Sequence, residues 1–367
     1  MKTLFAVLSA VLFLQSTCLF SQETESPAAS QTTTSTSSAT QISTPPAQPA
    51  QPTQPVQQVD PYTENINKLK SADTNERRQA IGNLSGMRDA RAIPEFIKAL
   101  DDTDEFVRMA SADALGLLRS KDALEKLIRM LTEDKSVQVR QSVAVALGYI
   151  QDRSAIPALI KVLDDPVDNL KLAALQTLGI LRAGEAINSI QPLFKSDNPF
   201  VRQSALSAAG KIGDPSVVPL VIERLKDENA SVKLEAINTC GILGSTECVA
   251  SLKPILTDSD KKTALAASNS LAKLGDSSGL ELATKLITDT DDRLRMRAAE
   301  TLGYIANKKS IPVLEKALLD KNQYVKQTAQ ISLEKIRLKH NLPPPGVKKQ
   351  PAKPTPTTPS TPKKGAK

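Results

Sequence analysis

The sequence predicts an all-α fold in which about nine helical hairpins stack into an open-ended solenoid. Two observations carry this prediction: a pattern of residue types that recurs about every 31 residues, and two segments of helical apolar spacing within each recurrence. Composition agrees, because the 367 residues include only 7 Phe, 4 Tyr and no Trp. So few aromatic side chains favour thin layers of Leu, Ile, Val and Ala over one large core.

A basic residue stands at a fixed position in eight of the nine copies. With the residue before it, this column comprises Glu76-Arg77, Val107-Arg108, Val139-Arg140, Leu170-Lys171, Val201-Arg202, Val232-Lys233, Thr263-Ala264, Leu294-Arg295 and Val325-Lys326. Nine residues after the first member, most copies carry a small residue: Ser85, Gly116, Gly148, Gly179, Gly210, Gly241, Ala272, Gly303 and Glu334. Glycine within a helix costs up to about 1 kcal/mol relative to alanine. This glycine column therefore predicts a close approach between neighbouring helices.

Each unit contains two helices. The first is defined by apolar residues at helical spacing, such as Val139, Val143, Ala146, Leu147 and Ile150, and the second by Ile156, Leu159, Ile160 and Leu163. Prolines fall where the second helix should begin, a position at which the missing N–H costs nothing. Gly213, Gly244 and Gly275 fall where the first helix should end, as expected for a left-handed cap.

The segment from Val139 to Leu159 follows the pattern V-R-x-x-A-x-x-A-L-G-x-x-x-x-x-x-A-I-P-x-L almost throughout. Over residues 62–338 the sequence resembles the HEAT-like repeats of the phycobilisome-lyase type. The resemblance implies a right-handed α-α superhelical solenoid whose second helices line the concave side. Proteins of this type serve mostly as binding scaffolds, and a minority are lyases that attach bilins.

The N-terminal residues 1–21 read as a secretory signal. Lys2 precedes an apolar run that is too short to span a bilayer comfortably, and small and polar residues follow up to Ser21. Cys18 leaves a second outcome open, in which the chain is cut before this cysteine and anchored by a lipid. Residues 22–61 consist largely of Ser, Thr, Gln, Pro and Ala and predict a disordered linker.

Residues 341–367 predict a disordered, extended tail rich in Lys and Pro. They contain six lysines and no acidic residue, so most of the net charge of +7 lies in this tail. The segment 62–340 is nearly balanced, and the overall charge is no argument for nucleic-acid binding. The tail either tethers and solubilises the protein or adheres to an anionic cell-envelope polymer.

A cation near the N-terminus of a helix opposes the helix dipole, so the basic column needs compensation. An aspartate stands five residues before the column in most copies. We predict that these aspartates cap the following helix and pair with a basic residue of the same or the next unit. The predicted ladder comprises Asp102, Arg108, Asp134, Arg140, Asp165, Lys171, Asp227 and Lys233. The alternative interpretation is an anion-binding stripe.

A second group of basic residues stands on the outward side of the second helices. We predict Lys98, Arg129, Lys161, Lys285 and Lys316 as candidate partner-binding residues that would grip an acidic, extended partner. The alternative is a solvated helix face with ordinary ion pairs such as Glu125 with Arg129.

No catalytic residue, cofactor site or metal site is predicted. His340 is the only histidine, which makes histidine-based catalysis and His-rich zinc sites unexpected. Neither a phosphate-binding loop nor a nucleophile elbow is present. Cys240 and Cys248 fall in core columns of one unit and are either two small core residues, a disulfide, or, least expected, a reactive thiol.

The expected function is a non-catalytic protein-binding scaffold in the periplasm or cell envelope. It would present an elongated concave surface to a protein or acidic polymer partner and need no cofactor. A solenoid-type enzyme such as a lyase is the alternative. We expect a monomer with no nucleic-acid partner, associated with a membrane only if Cys18 is lipidated.

Overall fold

The computed structural model describes residues 60–343, and within them it is helical without a β-strand. The signal, lipidation, linker and tail predictions fall outside these residues, except for positions 60–61 and 341–343. The described helices, in chain order, are α1 (Pro61–Lys68), α2 (Thr74–Met87), α3 (Ile93–Ala99), α4 (Glu105–Leu117), α5 (Leu124–Glu133), α6 (Val137–Ile150), α7 (Ile156–Lys161), α8 (Asp168–Ile180), α9 (Ile187–Ile190), α10 (Pro199–Ile212), α11 (Val218–Arg224), α12 (Ala230–Leu243), α13 (Cys248–Leu252), α14 (Lys261–Lys273), α15 (Leu280–Leu286), α16 (Asp292–Ile305), α17 (Ile311–Ala317) and α18 (Gln323–Lys339). The predicted all-α solenoid is confirmed.

Long and short helices alternate along the chain. The even-numbered helices have 13 to 17 residues and the odd-numbered helices 4 to 10. Each even-numbered helix packs against the even-numbered helices next to it and against the odd-numbered helix that precedes it. At the two ends of the described stack, α1 covers α2, and α18 covers α16 and α17. Packing between neighbours therefore builds the fold, as in other repeat proteins.

One backbone position ends eight of the long helices in a left-handed conformation. Glycine occupies it at Gly213, Gly244 and Gly275, with φ between 70° and 82°. The same position carries a non-glycine residue with φ between 47° and 58° at Arg88, Arg119, Gln151, Arg182 and Ala306. The predicted glycine caps are thus confirmed, and the turn geometry is shared by units that lack the glycine.

The glycine column lies where neighbouring long helices touch. A Cβ atom on Gly241 would lie 3.0 Å from the Cα of Ser270, and one on Gly179 would lie 3.2 Å from the Cα of Ala208. These contacts are backbone against backbone, which only a residue without a side chain permits. The expectation of close helix approach is confirmed.

The short helices are more widely spaced than the long ones. The side chain of Lys126 on α5 spans the distance to α3, where its Nζ donates to the carbonyl oxygen of Ile97 at 2.8 Å. Arg224 on α11 likewise reaches the carbonyl oxygen of Phe194 at 3.3 Å. A stack that is tight on one side and wide on the other curves toward the tight side. We therefore name α2, α4 and the other even-numbered helices the inner helices and the odd-numbered ones the outer helices.

A hydrogen bond between units that are not neighbours supports this curvature. Arg297 Nη2 on α16 donates to Asn238 Oδ1 on α12 at 3.1 Å, although α14 lies between the two helices. Such a reach is possible on a concave surface, where alternate units converge. The expectation that the second helices of the units line the concave side is therefore wrong: the first helices line it.

The core is made of small and medium apolar side chains, as the composition predicts. The largest fully buried residues are Phe96 and Phe194, and most others are Leu, Ile, Val and Ala. Among the helices of residues 60–343, none has both the length and the apolar character that crossing a bilayer requires.

Candidate functional site

An arginine–aspartate pair joins successive units at one edge of the stack. Arg108 Nε and Nη2 donate to the two carboxylate oxygens of Asp134 at 2.8 and 2.9 Å, and both side chains are more than nine-tenths buried. Arg108 Nη1 donates to the carbonyl oxygens of Asp102 and Thr103. The guanidinium therefore fixes the loop before its own helix to the loop that begins the next unit.

Equivalent pairs recur along the chain. In six units the basic residue pairs with the aspartate 25 or 26 positions later, which begins the next unit. Each of these aspartates thus binds the basic residue of the preceding unit, and the predicted partner in the same or the next unit is wrong. The pairs are Arg77 with Asp102, Arg108 with Asp134, Arg140 with Asp165, Arg202 with Asp227, Lys233 with Asp258 and Arg295 with Asp320.

The same aspartates organise the loops but do not cap the helices. Asp102 accepts from the N–H of Asp104, and the side chain of Asp104 then accepts from the N–H groups of Phe106 and Val107 in the first turn of α4. The cap thus stands two residues after the predicted position. The prediction that the ladder aspartates cap the following helix is wrong, because their carboxylates are used by the loop and the arginine.

Two units depart from the ladder. Lys171 binds Asp168 within its own helix at 3.2 Å instead of an aspartate of the next unit, where Asp197 is displaced by one position and Ser196 takes its place. In the unit that has Thr263-Ala264, no basic residue occupies the column, and Lys261 pairs with Asp289 at 2.7 Å instead. A cation from a different position thus restores one pair, whereas the predicted ladder role of Lys171 is wrong.

The ion pairs lower the pKa values of their aspartates. Burial alone would raise the pKa of Asp134, but the hydrogen bonds from Arg108 and from the N–H of Ser136 outweigh it and lower this pKa below its ordinary value. The hydrogen bond from Arg295 is the main cause that lowers the pKa of Asp320. Both carboxylates therefore stay ionised over a wider acidic range than free aspartate.

The five candidate partner-binding lysines and arginine lie on the outer helices. Lys98, Arg129, Lys161, Lys285 and Lys316 are all exposed, on α3, α5, α7, α15 and α17. Lys98 binds Glu95 in its own helix at 2.7 Å. Lys161 and Lys316 border shallow grooves beside the ladder pairs. Since they stand outside the concave face, a partner held in that face would not meet them, and their role in binding stays a prediction.

The concave face carries a row of side chains that directly follow the glycine column. We call it the inner row: Leu117, Tyr149, Ile180, Lys211, Ile242, Lys273, Tyr304 and Lys335. Leu117 is 60% exposed and Ile242 56%. The first three members of the row are apolar or aromatic, and from Lys211 onward lysines alternate with apolar or aromatic residues.

Two acidic groups on this face are surrounded by protein although solvent reaches them. Burial raises the pKa of Asp113, against a hydrogen bond with Ser142, yet the Asp113 side chain is exposed. Burial also raises the pKa of Glu235, against Ser207 and Lys211. A carboxylate that is both accessible and partly desolvated is expected in a concave surface, where neighbouring helices curve around it.

The family comparison agrees with this geometry. The family model for HEAT repeats matches residues 63–147, 124–209, 190–261 and 249–334, which together cover well over half of the chain. The chain is a HEAT-repeat protein. A search of curated proteins finds no match to the sequence.

Several solved structures are similar to this HEAT-repeat chain. The YibA protein of Escherichia coli is 20% identical with a TM-score of 0.50, covering 72% of this chain and 98% of its own. The complex of CpcE and CpcF of phycocyanin lyase from Nostoc sp. PCC7120 is 24% identical with a TM-score of 0.41, covering 71% and 98%. An engineered protein is 21% identical with a TM-score of 0.44, covering 76% and 89%. The likeness to YibA shows the fold alone.

The two cysteines of one HEAT repeat are joined in a disulfide. Cys240 on α12 and Cys248 on α13 have Cα atoms 5.9 Å apart, and both residues are fully buried. The bond ties an inner helix to the following outer helix. Of the alternatives that the sequence leaves open, the structure contains the disulfide.

The inner row of these HEAT repeats is the feature that the sequence prediction missed. The sequence contained a pattern that could have identified this row, because each member directly follows the glycine column and the glycines lie on the tightly packed side of the stack. The prediction instead placed the concave face on the second helices by resemblance and so selected the wrong set of outward positions.

Proposed function

We propose that this HEAT-repeat chain is a non-catalytic scaffold of the periplasm or cell envelope that binds an extended segment of a partner protein along its inner row. The observation that carries the proposal is the exposure of Leu117 and Ile242 on the concave face. A single exposed apolar residue needs no explanation. Leu117 and Ile242, however, occupy the same position of the inner helices as the half-buried Tyr149 and Ile180, and a patch built from such residues is typical of a binding surface.

The spacing of the inner row suits an extended peptide. Neighbouring packed helices lie about 8–10 Å apart, and an extended chain advances about 3.3 Å per residue. Every third residue of such a peptide would therefore meet one inner helix. HEAT-repeat proteins generally bind protein partners, and the alternation of apolar and charged groups in the row would select for sequence as well as for shape.

Export is supported by two independent features. Residues 1–21 have the charge and apolar pattern of a secretory signal. The disulfide between Cys240 and Cys248 is a bond that persists in oxidising compartments and is rare in the cytosol.

The test is quantitative affinity purification of the exported protein from envelope extracts, with three variants. Leu117→Glu combined with Ile242→Glu places two charges in the inner row at exposed positions. Leu319→Glu is the matched control, because Leu319 is 86% exposed and follows the outer helix α17. Lys98→Glu, Arg129→Glu and Lys161→Glu together reverse part of the outer basic group.

The wild type should recover a protein partner in a stoichiometric amount. We expect the inner-row variant to recover at least tenfold less of this partner, while Leu319→Glu recovers as much as the wild type. Equal retention by the inner-row variant and the control would overturn the proposal. Loss of binding only in the outer variant would assign the partner to the outer basic residues, and recovery of a polysaccharide instead of a protein would assign the anionic polymer. No arrangement of side chains among residues 60–343 favours a second function, and we propose none.

A further inference from the structure

The C-terminal part of the inner row forms a cluster of cations around one tyrosine. The Nζ atom of Lys335 on α18 lies 4.4 Å from the centre of the Tyr304 ring, and that of Lys273 on α14 lies 5.4 Å from it. Both distances suit a cation–π contact. Three successive inner helices, α14, α16 and α18, therefore contribute to one surface, which we call the inner cationic cluster: Lys273, Arg297, Tyr304 and Lys335, together with Glu300.

Arg297 adds a third cation close to Lys273. Its Nη2 donates to Asn238 Oδ1 two units away at 3.1 Å. Its Nε is buried and donates to no acceptor among the described residues. A buried guanidinium N–H without an acceptor is costly, and a carboxylate is the group that satisfies such a donor in the strongest geometry.

The charges in the cluster are not balanced. The charges that act on Lys273 are two cations, Arg297 and Lys335, and one carboxylate, that of Glu300. Burial is the main cause that lowers the pKa of Lys273, and Arg297 and Lys335 lower it further against the opposing effect of Glu300. Lys273 nevertheless remains exposed to solvent. An anion that entered the concave face would relieve the repulsion among these cations, and each lysine could reach it from its position beside Tyr304.

The outer basic residues do not share these properties. Lys98 is neutralised by Glu95 of its own helix, and Lys161 stands beside the ion pair of Arg140 and Asp165. Among the residues that the structure describes, only the inner cluster combines a surplus of cations, a buried donor without an acceptor and a position in the concave face.

We propose that the inner cationic cluster binds the side-chain carboxylates of an acidic segment of the partner protein. This inference rests on the proposed function, which supplies the extended segment along the inner row. The first three residues of the row, from Leu117 to Ile180, would hold the apolar part of that segment. The partner is thus predicted to carry apolar residues at one end and several Asp or Glu residues at the other.

The experiment measures fluorescence anisotropy of a labelled 16-residue peptide that contains eight Glu residues, with a peptide that has Gln in their place as the control. The protein is the exported chain with both terminal segments, so that the basic tail is the same in every sample. One variant combines Lys273→Gln, Arg297→Gln and Lys335→Gln. The matched variant combines Lys98→Gln, Arg129→Gln and Lys161→Gln and removes the same number of charges.

We expect the inner variant to raise the Kd of the Glu peptide at least tenfold and the outer variant to raise it less than twofold. Sodium chloride should weaken wild-type binding, and the Gln peptide should bind at least tenfold more weakly than the Glu peptide. Lys335→Gln alone should raise the Kd about threefold. This single substitution lies on the exposed last helix and is the control for a folding defect in the triple variant.

Three results would overturn the inference: no binding of the Glu peptide, equal loss of affinity in the inner and outer variants, or an unchanged Kd in both Lys335→Gln and the inner variant.

Failure of the proposed function is recognised separately. If Leu117→Glu with Ile242→Glu abolishes partner capture while the cationic variants leave capture and peptide binding intact, the scaffold proposal stands and the inference about acidic segments fails. If Leu117→Glu with Ile242→Glu leaves capture unchanged, the scaffold proposal itself fails.

Discussion

A Cβ atom on Gly116 would lie 2.8 Å from the Cα of Ala146 on the next inner helix. No side chain fits at this distance unless a backbone moves. Gly82, in contrast, lies within α2 with no neighbouring atom inside 4 Å of the equivalent point. The two glycines share a helical setting and differ in the space around them, which makes them a matched pair.

We predict that Gly116→Ala lowers the free energy of unfolding by about 1–3 kcal/mol, because added volume in a tight contact forces a shift. Gly82→Ala should raise it by about 0.5–1 kcal/mol, since alanine favours the helix without a clash. Urea denaturation followed by circular dichroism measures both. Stabilisation by Gly116→Ala would show that close helix approach does not depend on this glycine.

The ladder pairs differ in geometry, and so should their contributions to stability. Asp134 accepts two hydrogen bonds from a deeply buried Arg108, whereas Asp165 accepts one from Arg140 at 3.1 Å and is more exposed. We predict that Asp134→Asn costs about 2–3 kcal/mol and Asp165→Asn about 1 kcal/mol. Thermal or urea unfolding of the two variants gives the comparison, and an unchanged midpoint for both would contradict a stabilising ladder.

Acid should weaken the stack through the same aspartates. The folded state lowers the pKa of Asp102, Asp134, Asp227 and Asp320, while an unfolded aspartate titrates at about 3.9. Below about pH 4.5 the unfolded chain therefore binds more protons than the folded chain, and stability falls as the pH drops toward the folded pKa values.

The measurement is the urea midpoint at pH 7, pH 4 and pH 3 for the wild type and for Asp134→Asn. The variant lacks one titrating group of the ladder and should lose less stability between pH 7 and pH 3 than the wild type. If the two lose stability equally, the pairing of Asp134 is not linked to folding.

The disulfide of one repeat gives a redox prediction. The bond between Cys240 and Cys248 closes a loop with a sequence separation of 8, and a loop of that size stabilises the folded state by about 2–3 kcal/mol in the chain-entropy model. We expect dithiothreitol to lower the urea midpoint of a Cys18→Ser protein, and thiol labelling to find no reactive cysteine before reduction. In Cys248→Ser the reductant should have no effect on the midpoint.

Much of the fold follows from the sequence because each unit repeats the same contacts. The periodic apolar residues identified both helices of every unit, and the basic column and the aspartates identified the partners of the ladder. The ladder failed at Lys171 for a reason visible in the sequence, since Asp197 is displaced by one position there. The capping role was misplaced because Asp102 and Asp104 are chemically equal and only the loop geometry separates their tasks.

The candidate site was harder to predict. Apolar periodicity tells which face of a helix is buried, but curvature depends on the difference in spacing between two layers of helices. Neither layer alone reports that difference. The hydrogen bond from Arg297 to Asn238 joins residues 59 positions apart, and no local sequence pattern predicts a contact between alternate units.

That bond also affects how the stack responds to force. Most contacts join adjacent repeats, so a pull along the axis would extend the stack one junction at a time. The segment from α12 to α16 is different, because straightening it separates Arg297 from Asn238 before the neighbouring helices part. Bending this stretch outward therefore breaks one hydrogen bond more than the contacts between neighbouring helices alone would require, directly beneath the Tyr304 surface.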